Sequence, residues 1–333
     1  MIADDREFDQ YRLVEVISEG PEESLILVEN LSGEFLFAKR ASKLFREDKN
    51  QIDILTLEYE TLYRLKYEGF LQPVELVRCN SEIIQVFNAA HTISLDWFLA
   101  TDISENGLMP EKARLSLIWK VLNRAIGIRK INANNSDSGI LLSADYRPSA
   151  IMLTNQGICK MGLVTASRPC DLSNSISQVS FRDFVRYAAP EQVISGKTPD
   201  IRSSYYGIGV LVYLIATGKH LFSIGHPQFE GHIKRRKAQN LYPLISDVKP
   251  TLTWMDGAVS GLLDSDPDKR ESAMQELAHL IEARESDEGQ GTLTERILRQ
   301  IERHQNQNQN QKLYKRPPYS PQIKPDLITN IFD

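Results

Sequence analysis

The sequence predicts an α+β fold in two unequal lobes: a small antiparallel sheet with one helix, then a larger, mainly helical part. Three observations carry this. Apolar, β-branched segments separated by turn residues fill 11–90. Helical spacing interrupts them once, near 50–66. From 91 to 282 helical spacing dominates.

The strands come first. "YRLVEVI", "SLILVEN" and "EFLFAKR" are separated by "SEGPEE" and "LSG", and the short "LSGE" connection favours an antiparallel hairpin. Ile52, Leu55, Tyr59, Leu62 and Leu65 then recur at helical spacing, so about 50–66 is an amphipathic helix. "FLQPVELV" and "EIIQVFN" return to strand. Leu115, Ile118, Leu122 and Ala125 mark a long helix ending near "KINANNSDSG". Short strands at 151–153 and 158–161 flank the turn "TNQG". A polar loop covers 165–183. The apolar run "YYGIGVLVYLIA", 205–216, is too short to span a bilayer and predicts a buried helix. Further helices run to Ile281.

Residues 283–333 differ: a linker, a short amphipathic helix, and a largely disordered tail. "ESDEGQG" has linker composition. "TLTERILRQIERH" opens with a capping-box pattern, Thr292 with Glu295. Leu293, Ile297 and Ile301 line one stripe, suited to docking on the body or on a partner. "QNQNQNQ" at 305–311 is low-complexity, and "KRPPYSPQIKP" is extended.

Composition excludes several functions. Net charge is −5, with 41% hydrophobic and 25% charged residues, so there is no general affinity for nucleic acid. The basic run "IKRRK", 233–237, is a solvated face or a phosphate patch. Cys79, Cys159 and Cys170 form neither a disulfide framework nor, with the six histidines, a zinc site. The acidic "MIADDREFDQ" predicts no signal peptide, and a cytoplasmic location fits. Trp97, Trp119 and Trp254 read as packing residues, His226 and His232 as surface.

An ordered series of motifs is more specific. It comprises "ISEGPEES", "FAKR", "LEYETLYRL", "SADYRPSAIML", "ICKMGLVTAS", "YAAPE", "SYYGIGVLVYLIATGKHLF" and "LLDSDPDKRES". Across about 11–282 it resembles the eukaryotic-like (Hanks-type) Ser/Thr protein kinase family, as a degenerate member, and implies that family's bilobal fold. The resemblance implies that Lys39 stands where the family's lysine holds the α- and β-phosphates, with Glu58 as its helix partner and Glu60 as the register alternative. Gly20 is the remnant of the glycine-rich loop. There Pro21 removes an N–H donor, and Glu22 and Glu23 would repel a triphosphate by roughly 1 kcal/mol or more per close pair.

Asp145 falls on the catalytic aspartate, a vestigial base candidate. Arg147 replaces a lysine and Pro148 is retained, but Ser143, Ala144 and Ala150 replace histidine, arginine and asparagine. Leu163, Val164 and Thr165 fall on Asp-Phe-Gly. Neither Ala150 nor Leu163 has a side-chain oxygen for magnesium, and 146–170 contains no Asp or Glu. Glu191 and Arg270 would form the family's buried ion pair. Ser204 stands where an aspartate anchors the catalytic loop.

The resemblance therefore implies a pseudokinase: a protein-binding scaffold or allosteric regulator in signalling, partnered by another signalling protein such as an active kinase or its substrate. No nucleic acid, membrane, metal or cofactor is expected, and any ATP would bind without magnesium. Two alternatives stay open. One is residual or atypical ATP-dependent transfer by Lys39 and Asp145; the other is a non-catalytic nucleotide sensor. Ser173, Ser175, Ser177 and Ser180 are phosphorylation candidates or simply a polar loop.

Overall fold

The computed structural model describes residues 7–8, 10–19, 23–42, 45–65, 67–79, 82–88, 92–134, 142–144, 146–161, 163–165, 185–194, 200–222 and 229–311. Six antiparallel strands form the first lobe: β1 (Glu7–Phe8), β2 (Tyr11–Glu19), β3 (Glu23–Asn30), β4 (Phe35–Ala41), β5 (Pro73–Cys79) and β6 (Glu82–Asn88), in the order β1-β2-β3-β4-β6-β5. Side chains alternate between the two faces. Ile26, Val28, Leu36, Ala38, Ile84 and Val86 pack together on one face. Leu25, Leu27, Phe37 and Phe87 point from the other into the main core. The expected hairpin joins β3 to β4. Asn30 Oδ1 accepts from the N–H groups of Ser32 (3.0 Å) and Glu34 (2.9 Å), and Gly33 takes the left-handed φ of +78° that the turn requires.

Helix α1 (Lys49–Leu65) begins where Asp48 Oδ1 accepts from Gln51 N at 2.9 Å. Gln51, Leu55, Glu58 and Leu62 form its buried stripe. Glu60 faces outward, 3.7 Å from Arg64, whereas Glu58 lies on the inner face.

The second lobe follows. β7 (Thr92–Ser94) joins β9 (Ile151–Thr154) and β10 (Cys159–Met161) in a small sheet, and β8 (Leu142–Ala144) pairs with β11 (Leu163–Thr165). Helices α2 (Leu95–Asn106), α3 (Glu111–Asn134) and α4 (Ile201–Thr217) surround them. Asp200 Oδ1 caps α4 through Arg202 N at 2.7 Å, and Gly218, at φ +73°, closes it by donating to Leu214 O at 2.8 Å. Nearly all of α4 is buried, as its unbroken apolar run predicts. Helices α5 (Phe229–Ala238), α6 (Asp256–Leu262) and α7 (Arg270–Glu282) complete the body. Among the described residues, no helix is long and apolar enough to cross a membrane.

Two expectations need correction. The linker, short helix and disordered Gln/Asn tract are instead one helix, α8 (Asp287–Gln311). It starts inside "ESDEGQG" because Asp287 and Glu288 suit a helix N-terminus. Gly289 serves close packing rather than flexibility: a Cβ there would lie 2.5 Å from Lys112 O. Leu293, Ile297 and Ile301 are buried against the body, and Arg296 pairs with Asp102 at 2.6 Å. Once these turns are docked, extending the helix through 311 costs less than starting one. Residues 312–333 lie outside the described residues.

The basic run is also split rather than a uniform solvated face or phosphate patch. Lys234 and Arg235 look outward, but Ile233 and Lys237 are buried. Lys237 Nζ donates to the carbonyls of Arg186 (3.2 Å) and Ala188. It lies 4.5 Å from the ring centre of Tyr206 and 5.0 Å from that of Phe222. Burial pushes its pKa well down.

Candidate functional site

The pleat of the sheet assembles a polar cluster. Lys39 on β4 lies opposite Leu25 on β3 and Gln85 on β6. Glu23 is two residues before Leu25, so it shares that face and reaches Lys39 diagonally. From above, α1 presents Glu58 and Gln51, seven residues apart on its buried stripe.

The side chains meet. Lys39 Nζ lies 2.5 Å from Glu58 Oε2 and 2.6 Å from Glu23 Oε2. Gln51 Nε2 donates to Glu23 Oε1 at 3.3 Å. Gln85 Nε2 donates to Leu55 O (2.5 Å) and reaches Glu58 Oε2 (3.4 Å). Side-chain exposure is 12% for Lys39, 19% for Glu23 and 1% for Glu58. Burial disfavours the ammonium, but the two carboxylates outweigh it and raise the Lys39 pKa.

The backbone brings two further stretches together. In the β8–β11 ribbon, Ala144 pairs with Leu163, Ser143 with Val164 and Leu142 with Thr165. A 3-10 turn, Pro148–Ala150, follows β8, with Ala150 N donating to Arg147 O at 2.9 Å. Helix α1 packs on β11 as well as on β4 and β6, which makes the ribbon a neighbour of the Lys39 cluster. Asp145, Gly20 and Ser173, Ser175, Ser177 and Ser180 lie outside the described residues.

A second polar centre lies in the helical lobe. Arg270 Nη1 and Nη2 donate to Glu191 Oε1 (2.7 Å) and Oε2 (2.9 Å), a bidentate pair. Arg270 also donates to Asp264 O (2.9 Å) and Arg202 O (3.1 Å), and Ser203 Oγ donates to Glu191 Oε1 (2.7 Å). Burial pushes the Glu191 pKa up, but the hydrogen bonds and charge of Arg270, with Ser203, hold it below the usual carboxylate range. Ser204 is half-buried in the first turn of α4.

The sequence motifs brought Lys39 and Glu58 to attention, but not Gln51, Gln85 or the direct pairing of Glu23 with Lys39. The alternation of "ESLILVEN" held the missing signal, since it places Glu23 and Leu25 on one face.

No family model matches the chain. It is 28% identical over 199 residues to the serine/threonine-protein kinase pkn2 of Myxococcus xanthus, covering 56% of this chain and 22% of that protein. It is 30% identical over 168 residues to the serine/threonine-protein kinase PknB of Mycolicibacterium smegmatis, covering 49% and 26%. The matches thus span about a quarter of those relatives' lengths. The crystal structure of the PknI kinase domain from Mycobacterium tuberculosis superposes with a TM-score of 0.55 at 18% identity. That match covers 85% of this chain and 99% of the domain.

Proposed function

We propose, from its similarity to Hanks-type Ser/Thr protein kinases in fold and sequence, that the chain is a pseudokinase that regulates or scaffolds another signalling protein. One observation carries this. Positions 150 and 163 hold alanine and leucine, and no Asp or Glu occurs between Tyr146 and Cys170 to take over. Phosphoryl transfer relies on metal ions to bridge the phosphates and neutralise developing charge. Hydrocarbon side chains cannot hold those ions. The β8–β11 register supports the assignment, because it sets the two motif segments side by side.

A base candidate without a clamped phosphate has little to act on. What remains is the packed body: the sheet, the buried α4 and the Glu191–Arg270 pair. These would present a rigid surface to a kinase or its substrate. The test is replacement in the native host. A chain carrying Lys39→Met and Asp145→Asn, produced at the normal level, is expected to support the cellular role as well as the unaltered chain. Loss of that role with normal abundance would refute the proposal and favour atypical ATP-dependent transfer.

A further inference from the structure

We infer that Glu23 is a built-in ligand of Lys39, a carboxylate placed where an anionic ligand would bind, so that the site accepts polyphosphate only when that carboxylate is removed. This rests on the pseudokinase reading only in taking Lys39 as the lysine that faces the nucleotide phosphates.

The geometry favours a ligand over a chance ion pair. Both Glu23 oxygens are engaged, Oε1 by Gln51 at 3.3 Å and Oε2 by Lys39 at 2.6 Å, from two different elements. Glu58, almost fully buried, already supplies Lys39 with one counter-charge at 2.5 Å. A second carboxylate takes the formal charge of the trio to 1 − 2 = −1. Of the three ammonium N–H donors, these two pairs use two, leaving at most one for any added ligand. Glu23 is also the more exposed of the two carboxylates, so an incoming anion meets negative charge on the open side. A carboxylate oxygen resembles a phosphate oxygen in charge and hydrogen-bonding capacity.

The test uses the full chain, magnesium-free tripolyphosphate and isothermal titration calorimetry. Unaltered protein and Glu23→Asp, which keeps the charge, are expected to give no binding up to millimolar concentration. Glu23→Gln is expected to bind at least about tenfold more tightly, a change of about 1.4 kcal/mol. Glu23→Gln with Lys39→Met is expected to lose the gain. A purely structural role for Glu23 would change the melting temperature without creating this binding. Unaltered protein that binds as tightly as Glu23→Gln, or a folded Glu23→Gln that gains nothing, would overturn the inference. Should Glu23→Gln not fold, acylation of Lys39 in the unaltered chain decides, followed by mass spectrometry. Its rate is expected to ignore tripolyphosphate, and protection by it would overturn the inference. Phosphate transfer to a protein substrate by the unaltered chain would instead sink the pseudokinase reading and leave the Glu23 result to be judged separately.

Discussion

Replacing Glu191 with alanine strands a fully buried charge in the helical lobe. The Arg270 side chain has 0% exposure and its guanidinium is shared between Glu191 and the carbonyls of Asp264, Arg202 and Ser265. Removing the carboxylate leaves the cation with carbonyl partners alone. Breaking one side of a buried pair costs about 3–5 kcal/mol, and the surviving carbonyls place this case near the lower end. For a chain of 333 residues, with an unfolding entropy of about 0.7 kcal/mol/K, that corresponds to a fall in Tm of roughly 4–7 °C. Urea unfolding followed by tryptophan fluorescence measures it. Arg270→Met alone and combined with Glu191→Ala complete a double-mutant cycle, and the combined variant is expected to lose less than the sum of the two. A loss under about 1 kcal/mol for Glu191→Ala, typical of an exposed pair, would refute the reasoning.

Acid should act through the same carboxylate. Because the native Glu191 pKa is lowered, its contribution is complete above the ordinary value of 4.5 and fades as pH falls through the lower native value. Glu191→Gln is therefore expected to flatten the acid side of the stability curve below about pH 5, measured as urea midpoints. An unchanged slope would contradict this. Two glycines of α8 test its docking. Gly289→Ala places a Cβ 2.5 Å from Lys112 O and is expected to cost about 1–3 kcal/mol. Gly291 has nothing within 4 Å, so Gly291→Ala is expected to gain about 0.5–1 kcal/mol from helix propensity. Equal effects in thermal unfolding would mean that α8 does not pack as described.

The legible parts of the fold were those with a sustained period. The helical spacing of Ile52, Leu55, Tyr59, Leu62 and Leu65 located α1, the family resemblance pointed to Glu58 with Glu60 as the alternative, and unbroken hydrophobicity located α4. The β8–β11 ribbon was not legible, since each strand has only three residues and the partner lies well along the chain. Helix α8 was misread because Gly289 and Gly291 look like linker residues until α3 is packed beside the first of them. Lys237 was misread because charge alone suggests exposure, whereas two carbonyls and two rings receive it. At the candidate site, the motifs supplied Lys39 and Glu58. The occupancy of Lys39 by Glu23 depends on cross-strand register, which no local motif encodes.

The most direct test of the proposed loss of the metal clamp is titration of the full chain with ATP, with and without magnesium, read by thermal shift alongside phosphate transfer to a generic protein substrate. The expected result is no magnesium-dependent shift and no transfer. A shift that requires magnesium, with transfer abolished by Asp145→Asn, would contradict it.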